Sequence, residues 1–165
     1  MTSEITKLLD ETGWHLLQEL QENARLSYAE LGQRVGLSSS SVIERVRKME
    51  EAGIISGYHA AVNLNALGLP VLAIVRLRSF AGENCRQVIS RVSEMPEVLE
   101  YSKVTGSDCV VVKVAAASID HLERIIERLS LSGPASTSIV FSRPLQRRTI
   151  TRELLERAGG KEDHL

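Results

Sequence analysis

Between Ile5 and Leu20 the apolar residues Ile5, Leu8, Leu9, Leu16, Leu17 and Leu20 keep largely to three- and four-residue steps, the period of an amphipathic helix. Gly13 and Trp14 interrupt the pattern, so the spacing predicts a frayed first turn and then a helix from about Asp10 to Glu22. Ser27-Tyr28-Ala29-Glu30 has the form of a capping box, in which the serine oxygen accepts an amide of the first turn and the glutamate reaches back. A second helix therefore starts at Ser27 and turns Leu31 and Val35 inward. Gly36-Leu37-Ser38 then offers a residue tolerant of positive φ, an apolar plug and a new N-cap in succession, which predicts a tight turn between helices. The third helix, Ser39 to about Ala52, places Val42, Val46 and Met49 on one face and Ser40, Glu44, Arg47, Lys48 and Glu51 on the other, with Gly53 ending it.

Beyond Gly53 the pattern changes. Ile54 to Val62 is rich in strand formers and reads as an extended exit segment, and Asn63 to Gly68 as a linker. Strands are expected at Val71–Arg78, Glu97–Thr105, Cys109–Ala115 and Ser136–Phe141, and helices at Glu83–Met95 and Ile119–Leu129, with Gly106-Ser107 as a hairpin turn. The order β-α-β-β-α-β is the split arrangement that lays two helices on one face of a four-stranded antiparallel sheet. The expected fold class is α+β: a winged helix-turn-helix over residues 1–62, a linker over 63–69, a ferredoxin-like domain over 70–145 and a tail over 146–165. The uncovered sheet face is expected to be apolar enough to be buried in a sheet-to-sheet dimer. In the tail, Ile150 to Ala158 reads as a helix and the polar end as mobile.

A hydrophobic content of 43% in 165 residues excludes disorder for most of the chain. The longest uncharged apolar run, Leu67 to Val75, falls well short of the roughly 20 residues needed to cross a bilayer. Met1-Thr2-Ser3-Glu4 lacks a basic flank before an apolar stretch, so a soluble, cytoplasmic protein without membrane partners is expected. Cys85 and Cys109 show no CxxC spacing and no nearby histidine pair; both are read as small apolar residues, with neither a disulfide nor a metal site expected. His15, His59, His121 and His164 are scattered with no matched nucleophile and base, so catalysis is not expected. The net charge is −1, and residues 1–63 carry six Lys/Arg against nine Asp/Glu. That balance argues against nucleic acid as a partner, although phosphate contact depends on where a few cations and helix N-termini point rather than on the domain sum.

A two-helix DNA reader needs one helix able to lie in the major groove, a second to brace it and a crossing tight enough to hold both rigid. Leu31, Gly32, Val35, Gly36, Leu37 and Val42 have that spacing. A mid-helix glycine costs about 1 kcal/mol against alanine, and close helix approach at Gly32 is the natural compensation. Ser39, Ser40 and Ser41 crowd the start of the third helix, where hydroxyls and free amides can bind phosphate oxygens or base edges, and Glu44, Arg45, Arg47 and Lys48 extend the candidate double-stranded DNA surface. The alternative is that the serines are only caps and the charges only a solvated face. Arg45 lies nearer the buried edge of the helix than Arg47, which also suits a bracing salt bridge.

Asn23 to Leu31, Val35-Gly36-Leu37-Ser38, Val42 to Arg47 and Glu51-Ala52-Gly53-Ile54-Ile55-Ser56-Gly57-Tyr58 together resemble the leucine-responsive and asparagine regulator (Lrp/AsnC) family, and the likeness continues through the βαββαβ half. The resemblance implies a DNA-binding transcription regulator whose dimers assemble into tetramers or octamers, bending or wrapping DNA, with a free amino acid as effector and no cofactor. It places the effector loop at Val104, Thr105, Gly106, Ser107 and Asp108, with Ser136, Thr137 and Ser138 contributing from the last strand. Tyr101 either lines the same pocket or packs. Two departures stand out: Cys109 occupies the family's usual acidic position, with Asp108 one place earlier, and Gly13-Trp14 replaces an acidic then a basic residue, which should weaken the first helix. Two alternatives stay open at this point, an architectural DNA-wrapping protein without effector response and an ordinary hairpin turn with a solvated Asp108.

Overall fold

The computed structural model describes residues 3–81, 84–145 and 147–159. The chain divides into two compact units, one running up to Ala60 and resuming at Leu145, the other spanning Ala61–Pro144.

The first unit opens with α1 (Ser3–Leu8) and α2 (Glu11–Glu22), so the residues expected to fray form a helix of their own. Asp10 caps α2 by accepting the Gly13 amide at 2.7 Å. Gly13, expected to weaken this helix, is what lets the two helices meet: a Cβ there would sit 1.9 Å from the Leu8 carbonyl oxygen. Next come α3 (Tyr28–Val35) and α4 (Ser39–Glu51). The capping box at Ser27 is complete, with the Glu30 amide donating to Ser27 Oγ and the Ser27 amide to Glu30 Oε2. Gly36, at φ 70°, ends α3, and its amide donates to the Gly32 carbonyl. Leu16, Leu31, Val42 and Val46 are buried together in one apolar cluster, each stabilising the unit by roughly 1.5–3 kcal/mol relative to an exposed side chain. Residues 54–63 carry no strand; Ile55 packs on the helical cluster, and the Tyr58 hydroxyl donates to Glu50 Oε1 at 3.0 Å. Burial, and then that carboxylate, push the Tyr58 phenol up to about 12. The tail, expected as a separate segment, belongs to this unit. Gln21 donates to the Ile150 carbonyl at 3.0 Å and accepts its amide at 2.9 Å, ahead of α7 (Arg152–Gly159). The polar end expected to be mobile lies outside the described residues.

In the second unit a 3-10 turn, Asn65–Leu67, occupies the expected linker. It leads into β1 (Val71–Leu77), α5 (Cys85–Ser93), β2 (Val98–Lys103), β3 (Val110–Ala116), α6 (Ile119–Ser130) and β4 (Ala135–Ile139). Glu83, the expected start of α5, lies outside the described residues. The sheet is antiparallel throughout, in the order β2-β3-β1-β4. Val75, Leu77, Val110 and Val112 of the sheet are buried with Val88 and Val92 of α5 and with Leu122, Ile125 and Leu129 of α6, so both helices cover one face. The opposite face mixes apolar and polar side chains, with Leu72 buried and Val140 half-buried on it. Ile74 and Val111 are half-buried there beside Arg76, Glu100, Ser102, Ser136 and Ser138, all exposed, and Lys113 pairs with Glu100 at 3.5 Å.

The two cysteines are not separate apolar fillers: Cys85 and Cys109 form a disulfide, 24 residues apart in sequence with Cα atoms 5.3 Å apart. No local spacing announces the pair, because it exists only once the first turn of α5 and the start of β3 are brought together by the sheet.

Candidate functional site

The α3–α4 pair is held by contacts that fix how α4 is presented. Leu37 donates its amide to the Gly32 carbonyl at 2.9 Å, and its own carbonyl lies so near that a Cβ on Gly32 would stand 2.5 Å from it. The close approach inferred from Gly32 is therefore to the backbone of the turn. Ser38 Oγ then accepts the Ser41 amide at 3.2 Å and lies 3.0 and 2.9 Å from the hydroxyls of Ser40 and Ser41. Ser39 and Ser40 are exposed on the first turn of α4, where the helix dipole favours anions; Ser41 is half-buried.

Farther along α4, Glu44, Arg47 and Lys48 are exposed and lie on one face in two one-turn pairs, Lys48 with Glu44 at 2.7 Å and Arg47 with Glu51. The Lys48 ammonium holds the Glu44 carboxyl below its ordinary range. Arg45, grouped with the DNA-facing residues on spacing, is engaged within the protein: both terminal nitrogens donate to Asp10, at 2.8 Å each, which ties α4 to the start of α2. The guanidinium lowers the Asp10 pKa against the opposing effect of burial, and Asp10 in turn raises that of Arg45. Two residues escaped the sequence reading. Lys7 lines a hollow with Ser41, Glu44 and Lys48, hidden from view because α1 was expected to fray. Ile43 is 46% exposed on α4, and an apolar residue at that position carries no sequence signal for contact.

At one end of the sheet, Leu77 pairs with Val110 on one side and Ala135 on the other, so the 104–109 loop and the start of β4 flank the end of β1. Gly106 takes φ 104°, a conformation glycine adopts without strain, and Thr105, Gly106 and Ser107 are exposed. The base of the loop is closed by the Val104 amide donating to the Cys109 carbonyl at 3.2 Å and by the Cys109 amide donating to Leu77 at 2.7 Å. Half-buried Asp108 stands 4.0 Å from Arg78, a cation just past β1 that the sequence reading did not single out. Ser136 and Ser138 pair with Arg76 and Ile74 on the open face, whereas half-buried Thr137 pairs with Val75 on the helix side. Tyr101 pairs with Val112 on β2, the opposite edge strand from β4, so one chain does not bring it to the three β4 residues.

Comparison with known proteins finds relatives for both halves of the chain. A winged helix-turn-helix DNA-binding model matches residues 9–56, and an Lrp/AsnC ligand binding domain model matches residues 71–150. The HTH-type transcriptional regulator YezC of Bacillus subtilis is 36% identical over 134 residues, 81% of this chain and 94% of the relative. The leucine-responsive regulatory protein of Rhizobium meliloti is 36% identical over 132 residues, covering 78% of this chain and 85% of its own. Among solved structures, a transcriptional regulator of Neisseria meningitidis in complex with L-Met superposes with a TM-score of 0.81 at 28% identity, covering 89% of this chain and 99% of that one. LrpC of Bacillus subtilis gives 0.78 at 32% identity, with coverages of 84% and 99%. The proteins that share both halves are regulators rather than catalysts, and this chain belongs to the Lrp/AsnC family of transcription regulators, a DNA-binding helix-turn-helix followed by a ligand-binding domain.

Proposed function

We propose that α4 reads the major groove of double-stranded DNA through Ser39, Ser40, Ile43, Glu44, Arg47 and Lys48, while Arg45 braces the helix from behind. The observation that carries this is the division of labour along α4: Arg45 is bound at both nitrogens to Asp10, leaving the other polar residues on one exposed face. Arg47 and Lys48 exchange their glutamate partners for phosphates or base edges on binding, and Ile43 suits a thymine methyl group. Replacing Ser40 and Arg47 together by alanine should weaken binding to a defined site several-fold at fixed salt, with oligomer size unchanged. Wild-type affinity in a gel-shift titration would remove α4 from this role. Footprints that cover DNA uniformly, instead of protecting defined sites, would favour an architectural protein.

The second half of the proposal is an amino-acid effector at Val104–Asp108. The glycine lets backbone amides approach a carboxylate, and Asp108 and Arg78 present opposite charges at the same end of the sheet, matching a zwitterion. Complexes of similar regulators with L-Met point the same way. Ser136 is placed to contribute, and Tyr101 stands on β2, the strand that runs into this loop. The open sheet face, with Leu72, Ile74 and Val111, joins dimers that assemble further into tetramers or octamers. The protein works in the cytoplasm, with the genome; among the described residues no helix is long and apolar enough to cross a membrane. Calorimetry with the twenty amino acids tests the effector, and a blank panel would refute it.

A further inference from the structure

We propose that Cys85 and Cys109 form a reversible redox site, opened by low-molecular-weight thiols and closed by hydroperoxides, that sets the order of the 104–109 loop. The inference rests on the reading of that loop as the effector loop only for its consequence, not for its chemistry. Cys109 is the residue whose carbonyl accepts the Val104 amide and whose own amide is bound to Leu77, so it closes the base of the loop. The disulfide ties this residue to the first residue of α5. In the oxidised protein the loop base is therefore pinned covalently to a helix as well as by hydrogen bonds to the sheet. Reduction leaves only the hydrogen bonds.

Three observations favour a switch over a staple. Neither cysteine belongs to the apolar cluster that joins the sheet to the two helices, so that cluster does not depend on the bond. A protein that reads DNA works where the genome is, and in compartments that keep thiols reduced, disulfides are usually transient or redox-sensing. The two sulfurs are also unequally exposed. Cys109 is buried, at 4% exposure, whereas Cys85 is half-buried at the start of a nine-residue helix whose N-terminal dipole favours a thiolate.

The chemistry follows from that asymmetry. In the reduced protein the Cys85 thiolate attacks the hydroperoxide oxygen, breaking the O–O bond and releasing hydroxide or alkoxide, and is left as a sulfenic acid. The Cys109 sulfur then attacks the Cys85 sulfur; the S–S bond forms, the Cys109 proton is lost and water leaves. In the reverse direction a thiolate attacks Cys85 Sγ, the Cys109 thiolate leaves and takes up a proton, and a second thiol resolves the mixed disulfide. The two electrons come from the two external thiols, which end as their own disulfide.

The test uses the full chain equilibrated in glutathione redox buffers, alkylated and weighed intact. We expect a shift from no added alkyl groups to two as the buffer becomes reducing, and hydrogen peroxide to reverse it. Amide exchange at residues 104–109 should quicken about tenfold on reduction, as expected for a segment that loses a constraint against local opening. Cys85→Ser, a change at the half-buried partner, should exchange like the reduced wild type and ignore reductant. A bond that stays closed in every buffer while the protein is folded would overturn the proposal, as would identical exchange in the two states. Titration with L-methionine and the other nineteen amino acids, in both redox states, separates the two readings. The exchange response without any amino-acid binding supports the switch and counts against the effector. Equal binding with unchanged exchange overturns the switch and leaves the effector reading in place.

Discussion

Replacing Gly32 by alanine should destabilise a helix that alanine ordinarily strengthens. In an unconstrained helix interior the change gains about 1 kcal/mol. Here the new Cβ would stand 2.5 Å from the Leu37 carbonyl oxygen, whereas real Cβ atoms essentially never come under 3.0 Å, so the turn must retreat. The obstacle is backbone, which cannot rotate aside, and overpacking of this kind costs about 1–3 kcal/mol, enough to reverse the intrinsic gain. The net loss, up to about 2 kcal/mol, corresponds to a fall in Tm of up to roughly 8–16 °C for a unit of this size. Leu37 immediately precedes Ser38, the cap of α4, so the same displacement re-aims the exposed face of that helix and DNA affinity falls several-fold. Thermal unfolding by circular dichroism and gel shift on one operator read the two effects, with the exposed Gln33→Ala of the same helix as control. A Gly32→Ala protein that melts higher than wild type and binds DNA equally well would refute the steric account.

Other expectations follow from single contacts. Because the Arg45 hydrogen bonds lower the Asp10 pKa from its ordinary 3.8, the pair contributes stability above that pH, and the contribution is lost as pH falls toward the depressed folded value. Urea unfolding between about pH 5 and pH 3 should therefore show a shallower acid dependence in Arg45→Met than in wild type, and parallel curves would exclude the pair as a brace. Gly106→Val places a β-branched residue at φ 104° and should abolish the calorimetric effector signal; full affinity would free the loop of that role. Ile74→Glu should reduce the assembly measured by light scattering to monomers, and an intact oligomer would assign the open sheet face to solvent.

Much of the architecture was legible in the chain because it is set by interactions only a few residues long. The Ser27–Glu30 box, the Gly36-Leu37-Ser38 turn and the three-to-four-residue spacing of Val42, Val46 and Met49 are local statements, and each recurs in the structure at its expected place. The resemblance extended that reading to a family, but not to the geometry of either site. Arg45 and Asp10 are 35 residues apart, Gln21 and Ile150 are 129 apart, and no pattern within either segment names the other. The purpose of Gly13 appeared only with the Leu8 carbonyl it makes room for, and the close approach inferred at Gly32 found its partner, the Leu37 carbonyl, only in the structure. The order of the sheet put Tyr101 and Ser136 on opposite edges, and the packing of α5 on that sheet joined Cys85 to Cys109, because both are decided by which apolar faces bury together rather than by distance along the chain. Helix limits and caps are thus written in short-range chemistry, whereas the partners that aim α4 and close the effector loop exist only after the core has formed.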